Sequence, residues 1–203
     1  MLAPESIRRL WWAVFALAIL PLVRLLFLEF AGGLGANPVE FVIRSLGTWT
    51  LVFLCATLSV TPLRLLTGWL WLLRLRRMLG LFCFFYACLH MLSFVGLDQF
   101  FDFAAIWREV VKRPFITLGF TAYVLLIPLA ATSTNAMVKR LGGRNWQRLH
   151  RLVYLIAVLA VLHYGWHKAG KNDFAEVSVY AAAIAALLGV RAWRWLRRKG
   201  ATA

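Results

Sequence analysis

The amino-acid sequence predicts an all-α membrane protein: a six-span antiparallel transmembrane helix bundle with both termini on the cytoplasmic side. Three observations carry that prediction. The 203 residues are 62% hydrophobic and only 15% charged, with mean hydropathy +0.74. Soluble domains are usually about half apolar and a quarter charged. Six apolar runs, residues 10–30, 47–66, 78–96, 115–132, 149–167 and 174–195, reach the roughly 20 residues a helix needs to cross about 30 Å of hydrocarbon. The basic residues, finally, crowd onto alternate connections.

That last pattern sets the topology. Arg8 and Arg9 precede the first run, and Arg64, Arg74, Arg76 and Arg77 join the second to the third. Lys139, Arg140, Arg144, Arg148 and Arg151 join the fourth to the fifth, and Arg191, Arg194, Arg197, Arg198 and Lys199 close the sixth. Only Arg44, Arg108, Lys112, Arg113, Lys168 and Lys171 fall on the other side, with Arg24 inside the first run. Every acidic residue but Glu5 lies near that second side. Basic connections stay cytoplasmic. The net charge of +15 therefore reflects topology and contact with anionic membrane lipid, and nucleic acid is excluded as a partner.

Each element follows in order. The first run comes after Arg8–Arg9 as a signal peptide would. It is long, however, carries Arg24 and Glu29, and lacks a clean small-residue cleavage site, so it reads as a retained span. Residues 31–46 (AGGLGANPVEFVIRSL) read as an outer loop, and 67–77 (TGWLWLLRLRR) as a cytoplasmic connection with tryptophans at interface depth. Residues 97–114 form the longest outer loop. In it Ile106, Trp107, Val110 and Val111 recur at helical spacing opposite Arg108, Glu109 and Lys112, which predicts a short amphipathic helix resting on the membrane. The same loop is a candidate docking surface for an outer partner. Residues 133–148 (STNAMVKRLGGRNWQR) read as a cytoplasmic loop with a Gly–Gly turn. Helices and closed barrels alone satisfy their backbone in lipid, and these runs are too long for barrel strands. Cys55, Cys83 and Cys88 fall within spans, without CxxC spacing, and read as buried small hydrophobes.

Histidine placement carries the chemistry. Polar side chains inside spans are expensive and face the bundle interior or a cavity. Spans three and five both run outward. His90 stands as far past Arg77 as His163 stands past His150, a rise of about 20 Å on an ideal helix. His90 and His163 are thus expected at equal depth in the outer half of two different spans. Two facing imidazoles can supply both axial positions of a haem iron, and coordination offsets the cost of burying them. Phe82, Phe84, Phe85, Tyr86 and Phe94 on span three and Tyr154 and Tyr164 on span five would suit a porphyrin, with Gly80 and Gly165 leaving room. The competing explanation is that each histidine merely hydrogen-bonds a neighbouring helix. His150 lies at the cytoplasmic interface on the same span as His163, about 140° around an ideal helix. Its depth partner on span three is Arg77 or Met78 and not a histidine. Arg77, Arg148 or Arg151 could pair there with haem propionates or another anionic cofactor. His167, one turn beyond His163, reads as a surface residue.

The stretches RRMLGLFCFFYACLH (76–90), RPFITLGFTAYVLLIPLAATS (113–133) and NWQRLHRLVYLIAVLAVLH (145–163) resemble the ferric-reductase-like transmembrane domain, over nearly the whole chain. The narrower resemblance is to haem-binding membrane subunits of periplasmic methionine-sulfoxide reductase systems. It implies one domain over 1–203, one or two haem b groups, and an associated FMN. It also implies haem-ligand roles for His90, His163 and His150, and an inner site near Arg77. Quinol would be the electron donor and a periplasmic molybdopterin subunit the acceptor and heterodimer partner. The substrate-reducing site would then lie on the partner, and this chain would carry electrons across the bacterial inner membrane. Longer relatives place two histidines on each ligand helix, whereas Arg77 stands here near the missing inner position. No glycine-rich dinucleotide fingerprint is found in the sequence, so NADPH is not expected to donate directly. The alternative is a stand-alone ferric or quinone-linked cytochrome b reductase. From another class, a non-redox assembly factor or small transporter would use the same histidines as helix glue.

Overall fold

The structure is a computed structural model that describes residues 3–170 and 172–200, the last three without their side chains. Lys171 and the side chains of Arg198 and Lys199, counted above, lie outside the described residues. The described chain is helical throughout: α1 (Pro4–Phe30), α2 (Pro38–Thr67), α3 (Leu72–Ser93), α4 (Phe103–Lys112), α5 (Pro114–Ala131), α6 (Asn135–Leu141), α7 (Gly143–His150), α8 (Leu152–Ala169) and α9 (Ala175–Gly200). A wider π-helical turn, Phe94–Asp98, extends α3. Six helical segments are long and apolar enough to cross a membrane: Pro4–Phe30, Pro38–Thr67, Leu72–Asp98, Pro114–Ala131, Gly143–Ala169 and Ala175–Arg197. They match the six runs read from the sequence and are longer at most ends.

The extra length has local causes. Proline opens α1, α2 and α5 within the first turn, where its missing N–H costs nothing. The Asn37 side chain accepts the Glu40 N–H at 3.2 Å, so α2 starts at Pro38 and the connection expected over 31–46 contracts to 31–37. Helix α3 begins at Leu72, inside the stretch read as a connection over 67–77. The amphipathic helix expected in 97–114 is α4, capped by Asp102, whose carboxylate accepts the Ala105 N–H at 2.9 Å. Its Val110 is buried while Trp107 and Val111 stay exposed. The segment 133–148 is not the loop expected. Thr134 caps α6 by accepting the Met137 N–H at 3.2 Å, and Gly142, at φ 75°, separates α6 from α7. Both helices are too short and too polar to register as apolar runs.

Two packed units position the site. In the first, α1, α2 and α3 meet around Tyr86, which has no exposed surface. Its ring stacks on Phe53 at 5.3 Å, and its hydroxyl donates to the Ala18 carbonyl at 2.8 Å. In the second, α8 packs on α5 with Ile156 and Ala157 fully buried. Much of the remaining apolar surface faces outward, such as Leu17, Leu20 and Phe27 on α1, as a bundle solvated by lipid requires.

One charge is built into this framework. Pro62 lacks the N–H that would close on the Leu58 carbonyl one turn earlier in α2. Arg191 of α9 supplies the missing donor: its guanidinium donates to Leu58 O, and also to Leu187 O at 2.6 Å. Arg191→Met is therefore expected to destabilise the bundle by about 1.5–3 kcal/mol, the range for a hydrogen bond to a charged group. In a Pro62→Ala background the loss should shrink, because the restored N–H satisfies Leu58. Thermal unfolding of the four-member mutant cycle in detergent measures it; an equal loss in both backgrounds would refute the pairing.

Candidate functional site: a histidine pair between two helix pairs

His90 on α3 and His163 on α8 face each other, their ring centres 6.2 Å apart and their planes at 75°. The equal depth expected from the sequence is met. Each ring is fixed by the helix behind it. His90 Nδ1 lies 2.9 Å from the carbonyl of Ile43 on α2, and His163 Nδ1 lies 2.6 Å from the carbonyl of Phe115 on α5. A carbonyl can only accept, so both Nδ1 atoms carry the proton. That leaves each Nε2 with a free lone pair, the tautomer a metal ligand needs.

Two glycines make these contacts possible. Helix α2 runs past His90 at Gly47, where a Cβ would sit 3.1 Å from ring atom Cε1. Helix α5 runs past His163 at Gly119, where a Cβ would sit 2.7 Å from Nδ1. The same arrangement thus occurs twice. A carbonyl holds the ring, and a glycine one turn later (Ile43 then Gly47, Phe115 then Gly119) lets it lie against the backbone. The sequence reading assigned this role to Gly80 and Gly165. There a Cβ would meet Thr57 at 3.7 Å and Val177 at 3.5 Å, ordinary contacts that leave the histidines untouched.

A ring-centre separation of 6.2 Å leaves space for one iron between the two imidazoles, and His90 and His163 would be the residues to hold it. Such a metal needs about 2.0–2.1 Å on each side, and with the two half-rings this spans close to the observed 6.2 Å. The expected aromatic lining is different. Phe82 and Tyr86 pack into the α1–α2–α3 core, and Phe85 is exposed with one edge against Tyr86. Tyr154 lies under Arg191 at 5.7 Å, and Tyr164 donates to Glu176 at 2.5 Å. Phe84 does face α5, stacked on Tyr123 at 6.2 Å. The ring beside His163 is Phe115, at 6.0 Å, which the sequence reading did not single out.

His167 is drawn into this cluster and is not the plain surface residue expected. It is half-buried, packs on Phe115 at 5.6 Å, and its Nε2 accepts from Arg44 Nη2 at 3.3 Å. Arg44 is also ion-paired with Glu40 at 3.1 Å, so a cation stands beside His167. Nearby, buried Lys168 bonds Asp173 at 2.5 Å and holds that carboxyl below the usual carboxylate range.

His150 belongs to a different environment. The helix it ends, α7, is separate from α8. The Arg151 and Tyr154 N–H groups bond carbonyls only three residues back, at 3.2 and 3.0 Å, and this tightens the chain between His150 and Leu152. His150 and His163 therefore do not share one regular helix, and the 140° phase does not apply. The His150 ring stacks on Trp146 at 3.9 Å. Its Nε2 lies 3.0 Å from Thr132 Oγ1, whose own proton goes to Pro128 O at 2.6 Å. Nε2–H is then the donor, and Nδ1 keeps the lone pair. Trp146 completes the knot by donating to Thr132 O at 2.8 Å. The α3 cation whose charge reaches His150 is Arg76, while Arg77 is exposed.

A family model described as "Ferric reductase like transmembrane component" matches residues 43–161, the stretch that runs from Ile43 to just before His163. The chain is similar to the protein-methionine-sulfoxide reductase heme-binding subunit MsrQ of Ralstonia nicotianae, 62% identical over 198 residues, 98% of this chain and 91% of the relative. Its similarity to MsrQ of Herminiimonas arsenicoxydans is 56% over 197 residues, 97% and 90% of the two chains. With MsrQ of Rhodospirillum rubrum it is 54% over 187 residues, 92% and 89%.

Proposed function

The chain belongs to the ferric reductase like transmembrane family, among its MsrQ haem-binding subunits, and on that premise we propose how its residues serve electron transfer across the membrane. It is a multi-pass protein of the bacterial inner membrane. Its function is to carry electrons from the quinone pool to a periplasmic methionine-sulfoxide reductase, MsrP, for repair of oxidised periplasmic proteins. It is the electron-transfer subunit of an oxidoreductase complex, and sulfoxide is reduced on the partner. One domain over 1–203, an antiparallel bundle and cytoplasmic termini complete the reading. The crowding of arginine and lysine at one set of connections supports the orientation.

The observation that carries the site is the facing pair. His90 and His163 hold the outer haem b through Nε2. Ile43 O and Phe115 O fix the tautomer and the ring planes, and Gly47 and Gly119 admit the rings. When bound, the haem supplies the one-electron chemistry, and the protein supplies ligation, orientation and a low dielectric. Arg44 places a positive charge beside His167. His150, with Arg76 in electrostatic reach and Arg77 one residue on, serves the inner end of the path, for a second haem. FMN enters through the family resemblance. The molybdopterin subunit MsrP, as heterodimer partner, draws on quinol oxidation: two electrons and two protons convert a methionine sulfoxide to methionine and water.

Proteoliposomes test the reading. With a quinol in the bilayer and MsrP outside, oxidation of quinol should be matched by reduction of a methionine-sulfoxide peptide only when the chain is present. Equal quinol-linked reduction of ferric citrate with or without MsrP, and no sulfoxide reduction, would favour the stand-alone reductase instead.

A further inference from the structure

Far from the histidine pair, α2 and α9 enclose a groove of about 230 Å³ lined by Thr61, Pro62, Arg64, Leu65, Val190, Arg191, Arg194 and Trp195. Three guanidinium groups converge on it from two helices. Arg64 and Arg194 are partly buried. Arg191 is held in place by the Leu58 and Leu187 carbonyls, and a guanidinium carries five N–H donors, so those bonds leave others to offer. Among the described residues no carboxylate is ion-paired with these three arginines. Among the described residues the ion pairs are Arg44–Glu40, Arg113–Glu109 and Lys168 with Asp173 and Glu176, all at other places in the fold. Apart from Thr61 the rest of the lining is apolar: Pro62, Leu65, Val190 and the Trp195 ring. The groove is several times the roughly 30 Å³ share of one liquid water, ample for a phosphate group.

We propose that this groove binds a phosphate ester, with Arg64 and Arg194 gripping the phosphate oxygens over the fixed Arg191 and the apolar wall taking the attached carbon chain or ring. Three arginines ion-paired with no described carboxylate, at the edge of an apolar bundle, call for an anion. Guanidinium forks match phosphate oxygens in pairs, and basic pockets between transmembrane helices at the cytoplasmic side are where acidic headgroups bind. The ester is the phosphodiester of an anionic phospholipid or the phosphomonoester of a flavin mononucleotide. Only the assignment to the cytoplasmic leaflet rests on the topology proposed above.

The test uses the full chain in nanodiscs and no electron-transfer readout, so its failure is separate from any failure of the redox reading. Wild type and Arg64→Gln/Arg194→Gln are compared by native mass spectrometry and thermal melting. One arm changes the bilayer from phosphatidylcholine to phosphatidylglycerol; the other adds FMN to phosphatidylcholine discs. At about 1 kcal/mol per arginine, the double variant should retain the ester roughly thirtyfold less well and lose the stabilisation that wild type gains. Loss confined to the first arm identifies a lipid, and loss confined to the second a flavin phosphate. Lys139→Gln/Arg140→Gln removes as much charge elsewhere and should change neither. If the double variant does not fold, Arg194→Gln alone is compared. Equal responses of wild type and variant in both arms, or an equal loss in the Lys139/Arg140 control, overturn the proposal.

Discussion

His163→Ala is expected to abolish the outer b-type signal in the reduced-minus-oxidised spectrum of the purified chain, and His90→Ala to do the same. Disturbing a hydrogen-bond partner behind a ligand typically costs about 10–100-fold in metal affinity, and removing the ligand itself should cost more. The rings stand 6.2 Å apart, and with each Nδ1 bonded to a carbonyl only Nε2 is left to hold an iron, so neither alanine variant would retain both ligands. His167 does not substitute, because its Nε2 accepts from Arg44. His150→Ala should leave the outer signal in place, since that ring is stacked on Trp146 and tied to Thr132. Haem per chain and the spectrum, measured together, decide the matter. An unaltered spectrum in His163→Ala would falsify the ligand assignment, and loss of the outer signal in His150→Ala alone would transfer it.

Gly119→Ala should approach that effect without touching a ligand. The new methyl carbon would lie 2.7 Å from His163 Nδ1, and the ring cannot yield without breaking its bond to Phe115 O. Overpacking of this kind costs about 1–3 kcal/mol, and the displaced ring loses its aim. Gly47→Ala, with a first contact at 3.1 Å, should be milder. Gly80→Ala and Gly165→Ala meet nothing closer than 3.5 Å, so the better helix propensity of alanine should stabilise them by up to about 1 kcal/mol. Haem content and melting temperature across the four variants give a ranking. A Gly119→Ala protein with full haem and an unchanged spectrum would remove the packing argument.

The spans were legible because lipid demands long apolar runs. His90 and His163 were legible for a related reason: equal counts from a common interface bring residues to equal depth on helices that run the same way. What packs behind each histidine was not, because it lies on a third and fourth helix whose rotation no local pattern sets. A usable signal did exist. Gly47 and Gly119 are glycines near the ends of spans two and four on the histidine side, where close helix approach favours small residues. The break beside His150 was hidden for another reason. No proline or glycine marks the tightening at Arg151, so the sequence looked like one continuous helix. The choice of Arg77 over Arg76 counted depth alone and took no account of helix rotation.

The paired notch, carbonyl then glycine, has a consequence for rate. A ring tied at Nδ1 and set close against a glycine of the neighbouring helix has little freedom to tilt, slide or flip. A centre that gains and loses electrons is slowed by whatever nuclear rearrangement accompanies each change of charge. As haem ligands, rings pinned in this way would keep that reorganisation small, since the surroundings are already set for both redox states. In α2 and α5 the protein thus fixes the relay's inertia as well as its position, with two residues that carry no side chain at all.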